Sequence, residues 1–160
     1  MKKKSSLLIL LVAFAMGFSA CSTVKSLPAN VAGASRARFV GIWQLTNVSY
    51  DGLLPGSVQA IFNQAPPDAF TGSTWNLTNS GNGIYTLADG TTQTIFWSYD
   101  NSNGAVFQFK KLYQGDRAGK VQQGYQLMVA SIDGAYMTLK LPVTVGDKTA
   151  YVVLSFSKTK

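Results

Sequence analysis

The sequence predicts an all-β domain: an eight-stranded antiparallel up-and-down β-barrel with a short helical segment between strands 1 and 2. Three observations predict it. Apolar and polar residues alternate in eight separate runs after residue 38, the period of strands that bury one face. Turn chemistry built on Gly, Asn and Asp stands between those runs. The connections alternate between long and short, as they do when one end of a barrel is tight and the other wide. A chain of 160 residues accommodates all of this in one domain, here 39–160.

The runs are as follows. FVGIWQLTNVSY (39–50) sets Trp43 and Leu45 on one face, and FTGSTWNLT (70–78) sets Trp75 and Leu77. IYTL (84–87) aligns Tyr85 with Leu87, and TQTIFWSY (92–99) aligns Ile95, Trp97 and Tyr99. AVFQFKKLY (105–113) pairs Phe107 with Phe109, and VQQGYQLMVASI (121–132) pairs Tyr125 with Leu127 and Val129. YMTLKL (136–141) groups Met137, Leu139 and Leu141, and AYVVLSFSK (150–158) groups Val152, Leu154 and Phe156. Gly81-Asn82-Gly83, Asp89-Gly90, Asn103-Gly104 and Asp133-Gly134 mark turns. Most of the seven Asp stand beside Gly or Asn, so turn formation is their simplest role.

The segment 51–69, DGLLPGSVQAIFNQAPPDA, breaks the alternation. It predicts a helical turn or two around Ser57–Phe62, bounded by Pro55 and by Pro66-Pro67. A helix that short is stable only when packed. Strands with one apolar face are buried by closure or by stacking as two sheets. The long connections 51–69, 114–120 and 142–149 all leave the same end, which favours closure around a mouth.

The amino terminus has a different character. Lys2–Lys4 precede the apolar run Leu7–Phe18 and the small residues Ser19-Ala20, the three regions of a secretory signal peptide over 1–20. The apolar run is twelve residues, whereas a spanning helix needs about 20. Phe18-Ser19-Ala20-Cys21 resembles a bacterial lipobox. That resemblance implies cleavage before Cys21 and acylation of its thiol. Two or more acyl chains anchor stably where one holds only marginally. An ordinary secreted protein with one free thiol is the alternative. Residues 21–38 then read as a lipidated flexible tether, about 20–25 Å end to end. Its Lys25, Arg36 and Arg38 either meet anionic headgroups or simply keep the tether solvated. By analogy with lipoprotein sorting, Ser22 without a following acidic cluster implies the outer membrane, facing the periplasm.

Composition excludes several functions. The net charge of +7 invites a nucleic-acid partner, but six of the fourteen basic residues precede Phe39. The domain itself is close to neutral, so no phosphate-binding footprint is expected. The chain has no His, no Glu and one Cys, which disfavours metal sites and leaves no cofactor to expect. The usual base for nucleophilic catalysis and paired carboxylates are missing, so no enzyme is expected.

Gly41-Ile42-Trp43, at the start of the first of eight strands, resembles the Gly-x-Trp of lipocalins. The segment 39–158 is similar to the lipocalin-like domains of small bacterial lipoproteins. The resemblance implies that Trp43 plugs the closed end of the barrel and that Lys158, after the last strand, covers it. It also implies, loosely, a carrier of small apolar or amphipathic molecules.

An eight-stranded barrel is filled by side chains or holds one small ligand. The inward aromatic residues are numerous enough to fill it, so the residues leave both outcomes open. If a cavity exists, its candidate lining is Trp75, Tyr85, Trp97, Phe109, Tyr113, Tyr125, Leu141 and Tyr151, with Phe62 and Phe70 from the first connection as a lid. Basic and acidic residues nearly balance around the mouth, which predicts no headgroup charge. The expected function is ligand binding by a monomer held at the membrane through acylated Cys21. The alternative is a non-enzymatic envelope interaction or inhibitor module with a filled aromatic core and a working loop surface.

Overall fold

The computed structural model describes residues 31–159. The expected signal peptide (1–20), Cys21 and the tether as far as residue 30 lie outside the described residues. One four-residue helical turn, α1 (Arg36–Phe39), is followed by β1 (Gly41–Asp51), β2 (Thr74–Leu77), β3 (Asn82–Thr86) and β4 (Thr92–Asp100). The chain continues through β5 (Val106–Leu112), β6 (Tyr125–Ile132), β7 (Tyr136–Val145) and β8 (Lys148–Lys158). Each strand pairs antiparallel with the next, and β8 pairs back on β1, so the sheet closes into a tube.

Closure depends on β1 pairing along both edges. Gly41–Gln44 pair with β2 on one edge, and Trp43–Asp51 run along β8 on the other, from Trp43↔Lys158 to Asp51↔Tyr151. A register shift between Leu45 and Asn47 makes the bend. The ladder between β5 and β6 is much shorter, from Val106↔Met128 to Phe109↔Tyr125.

The expected alternation sets the inside of the tube. Trp43, Leu45, Trp75, Leu77, Tyr85, Ile95, Trp97, Phe107 and Phe109 are buried, as are Leu127, Val129, Met137, Leu139, Val152, Leu154 and Phe156. Burial of side chains this large is the dominant favourable contribution to folding. Asp turn chemistry is also present. Asp89 accepts from the Thr91 amide, Asp100 from the Ser102 amide, and Asp133 from the Ala135 and Tyr136 amides at 2.8–2.9 Å.

Three local expectations change. The segment 142–149, expected as a long connection, is strand instead: β7 and β8 stay paired as far as Val145↔Lys148, around Gly146-Asp147. The helical turn between β1 and β2 is not at Ser57–Phe62 but is a 3-10 turn at Pro67–Phe70. Pro67 supplies the fixed φ that suits a first helical position. At Phe62 and Asn63 the backbone is instead left-handed, with φ of 54° and 50°, which a right-handed helix cannot include. The last residues of the expected tether, 31–38, are laid against the tube. Val31 and Ala34 pack on the core and Phe39 is fully buried.

Candidate functional site

The two ends of the tube are sealed differently. At the α1 end, the indole of Trp43 donates Nε1 to the Phe39 carbonyl at 2.8 Å. Phe39 lies against Tyr99 and Phe107, with centroids 5.1 and 5.5 Å away, and against Trp97 at 6.1 Å. Two cations cover this aromatic floor. Lys158 Nζ is 5.1 Å from the Trp43 ring, and Arg36 Cζ is 4.5 Å from the Trp97 ring. Arg36 also donates to the Asn79 carbonyl.

The opposite end is the mouth, from which the two long connections 52–73 and 113–124 leave, while β7 and β8 meet there through a two-residue turn. The first connection folds back into it. Ile61 pairs with Ala65 through a backbone bridge, and the tight loop between them drives Phe62 into the tube, where it is 3% exposed. Its ring sits among Phe109 at 5.0 Å, Phe70 and Tyr125 at 5.3 Å, and Trp75 at 6.2 Å. All four meet it close to edge-on, at 72–88°. Edge-to-face geometry of this kind is favourable beyond the area it buries.

Polar side chains hold the plug in place. Tyr125 donates its hydroxyl to the Phe62 carbonyl at 3.0 Å. Lys111 Nζ donates to the same carbonyl at 3.2 Å and to Gln64 Oε1 at 3.0 Å. Tyr85 donates its hydroxyl to that same Gln64 oxygen. Lys111 is only 8% exposed. The one salt bridge among the described residues, Lys140–Asp51, is elsewhere, so Lys111 rests on neutral oxygens alone. Burial pushes the Tyr85 hydroxyl well above the ordinary phenol range, and the neighbouring Tyr125 and Tyr113 push it further. Burial raises Tyr125 as well, with a smaller contribution from Tyr113.

Of the candidate lining, Phe62, Phe70, Trp75, Tyr85, Phe109 and Tyr125 come together in this one cluster. Trp75 stacks on Tyr85 at 4.7 Å, and Phe70 lies 5.9 Å from Tyr85. The expected space between Trp75, Phe109 and Tyr125 is therefore occupied, by Phe62. Leu141 is half-buried and packs against the core. Tyr113 is 65% exposed at the rim, where it joins Asn63, Lys111, Asp116, Gln123 and Tyr125 around a hollow of about 200 Å³.

Two candidates are misplaced. Trp97, the cross-strand partner of Phe109, has its ring toward the α1 end, stacked on Phe107 at 5.8 Å with its indole N–H on the Thr78 carbonyl. It sits there because β4 runs from the mouth toward the α1 end, and Trp97 lies in the second half of that strand. Tyr151 faces outward. The inward positions of β8 are Ala150, Val152, Leu154 and Phe156, and Tyr151 lies on the other face with Lys140 Nζ 5.2 Å from its ring. Gln64 is not expected here from the sequence, and Lys111 is expected only among the charges that ring the mouth, not inside it. Lys111 shares its face with Phe107 and Phe109 by simple parity, so the sequence carried a signal for it; Gln64 had none.

A second depression lies on the outer wall. It is a groove of about 710 Å³ along β4, β5 and β6, lined by Phe96, Gln108, Lys110, Gln122 and Gln126 and bordered by Phe109 and Tyr125 of the mouth cluster. It opens where β6 stops short of β5, and Lys110 Nζ bridges the gap to the Ala118 carbonyl at 3.2 Å. Among the described residues no three His, Cys, Asp or Glu side chains gather, and no helix is long and apolar enough to cross a membrane. No family model matches the chain, and no curated protein matches it.

Proposed function

We propose that the chain is a lipocalin-like lipoprotein of the bacterial cell envelope. Acylated Cys21 holds it at the outer membrane, facing the periplasm, as a monomer. It works without catalysis, by binding a small hydrophobic or amphipathic ligand in a mouth that its own first connection closes. The observation that carries this reading is the identity of the filler. The floor of the tube is built from strands and α1, but the mouth is filled by Phe62, a loop residue on left-handed backbone whose carbonyl accepts from Lys111 and Tyr125, while Tyr85 holds the nearby Gln64. A loop that enters on hydrogen bonds can leave when a ligand replaces them.

The test is titration with a fluorescent fatty acid. Saturable binding by the wild type, tighter in Phe62→Gly, is the expected result. Binding that is absent from both would defeat it. Membrane retention of the protein and its release in Cys21→Ala test the anchor.

One alternative has an observation of its own. Phe62 closes the aromatic packing from floor to mouth, and Leu54, in the same connection, is 78% exposed. A filled interaction or inhibitor module would use that loop surface. It predicts that Phe62→Gly gains no ligand affinity while Leu54→Ser weakens capture of an envelope partner.

A further inference from the structure

We propose that the mouth is a binding site for a small aromatic monocarboxylate, an arylalkanoate, and that Phe62 occupies it as an internal stand-in. The inference rests on the gated reading above and names its ligand class.

The first argument is the shape of the stand-in. From its ring to its carbonyl, a Phe residue has the skeleton of 3-phenylpropionate. In the mouth the ring is enclosed edge-on by Phe70, Trp75, Phe109 and Tyr125. The carbonyl lies on Lys111 and Tyr125. An aryl group retains those edge-to-face contacts, and an alkyl chain of the same length does not.

The second argument is what remains when the plug leaves. Lys111 loses both acceptors that it has from the first connection, the Phe62 carbonyl and Gln64 Oε1. Tyr125 loses the Phe62 carbonyl and Tyr85 loses Gln64. Three donors, one of them a cation nine-tenths buried, are left facing one aromatic pocket. Unsatisfied buried donors are costly, and an unpaired buried cation most of all. A carboxylate offers two oxygens and about four acceptor positions, enough for all three donors and the charge together. An alcohol or an ester has neither the charge nor that capacity.

The third argument limits the charge. Asp116, the one carboxylate around the mouth hollow, accepts from the Tyr113 amide at 2.9 Å. Its charge disfavours a second anionic group on the ligand, so a monoacid fits and a diacid does not.

The experiment compares 3-phenylpropionate with 3-phenylpropanol by calorimetry on the wild type, Phe62→Gly, Lys111→Met and the double variant. We expect Phe62→Gly to bind the acid at least tenfold more tightly than the wild type does, and at least tenfold more tightly than it binds the alcohol. In the double variant the acid loses that preference while alcohol binding stays. In the wild type, saturating acid accelerates amide exchange at Ile61 and Gln64, because the plug has left. Should Phe62→Gly lose its near-ultraviolet circular dichroism signal, Phe62→Leu takes its place, with the same ordering expected. Equal affinity for acid and alcohol in a folded variant overturns the carboxylate site while leaving gated binding intact. No binding of either probe overturns the arylalkanoate site, and if the fluorescent fatty acid does not bind either, the gated reading falls with it. Wild-type binding that slows exchange at Ile61 and Gln64 places the acid elsewhere and overturns the displacement.

Discussion

The floor and the mouth of this tube are both closed by aromatic side chains, yet by opposite means. The floor uses residues that the strands and α1 position anyway: Trp43, Trp97, Phe107 and Phe39. Its polar groups are arranged outward, with Arg36 and Lys158 over the indoles and Arg38 donating to the Ile132 carbonyl. The mouth imports its filler from a loop, on left-handed backbone, and keeps a cation inside to hold it. One seal is part of the fold; the other is an addition to it. The difference teaches where such a domain can open without unfolding, because loops open locally at a lower free energy than core strands, which open only with the whole fold.

The sharpest way to break the comparison is to truncate the two plugs. Trp43→Ala removes an indole from a site that cannot collapse, and we expect a loss of about 3–5 kcal/mol in denaturant unfolding. Phe62→Gly removes a ring too, but it relieves a left-handed residue, a cost of about 1–2 kcal/mol for a residue with a Cβ. Its loss is therefore expected to be smaller than that of Trp43→Ala by roughly that amount. Equal losses would mean that the mouth seal is as integral to the fold as the floor.

A smaller effect is expected at Lys111. Replacing a buried charge with an apolar side chain of similar length is often neutral or stabilising. In Lys111→Met both acceptors keep a donor, because Tyr125 still reaches the Phe62 carbonyl and Tyr85 still reaches Gln64. The unfolding free energy should stay within about 1 kcal/mol of wild type, as buried ion replacements commonly do. A loss of about 3 kcal/mol or more would show that the bonds from Lys111 to the first connection are integral to the fold, which would end the contrast with the floor.

Hydrogen exchange resolves the same contrast without mutation. The amides of Ile61 and Gln64, bonded to Ala65 and Ile61 carbonyls, should exchange through an opening well below the global unfolding free energy. Amides in the β1–β8 ladder should exchange only by global unfolding. Coincident values would make the first connection part of the cooperative unit.

The strands were legible because alternation is a local signal, and each run carries its own copy. The floor was legible for the same reason: Trp43 and Lys158 are cross-strand partners once β8 returns to β1. The mouth was not. Nothing in SVQAIFNQAPP spells a left-handed pair at 62 and 63, apart from the tolerance of Asn63 for that conformation, so a helical turn was the natural expectation. Tyr151 is close to a rim and Trp97 is on the inner face, but neither fact alone puts a side chain in the mouth. Parity with Val152 puts Tyr151 outside, and strand direction puts Trp97 at the floor. Lys111 shows the converse: its parity with Phe109 was available, but an ammonium among aromatic residues is not what an inward position usually holds.

The mildest test uses pH, which acts on the two ends from opposite sides. Tyr85, at the mouth, has its folded pKa raised above the ordinary value of 10.0, chiefly by burial. Its contribution is complete below pH 10 and is lost as pH rises through the folded value, because the unfolded phenol ionises first. Asp133, in the turn before β7, has its folded pKa lowered from 3.8 by the Tyr136 and Ala135 amides that it accepts from. Its contribution is complete above that value and is lost as pH falls through the folded one. Asp133 is exposed, so solvent screens its share and the acid effect should be the smaller. Midpoints in denaturant should therefore decline above pH 10 with a slope that Tyr85→Phe flattens, and decline more gently below pH 4 with a slope that Asp133→Asn flattens. If Tyr85→Phe leaves the alkaline decline unchanged, the phenol is not sealed by the plug, and the mouth must already open to hydroxide at a free energy far below that of the floor.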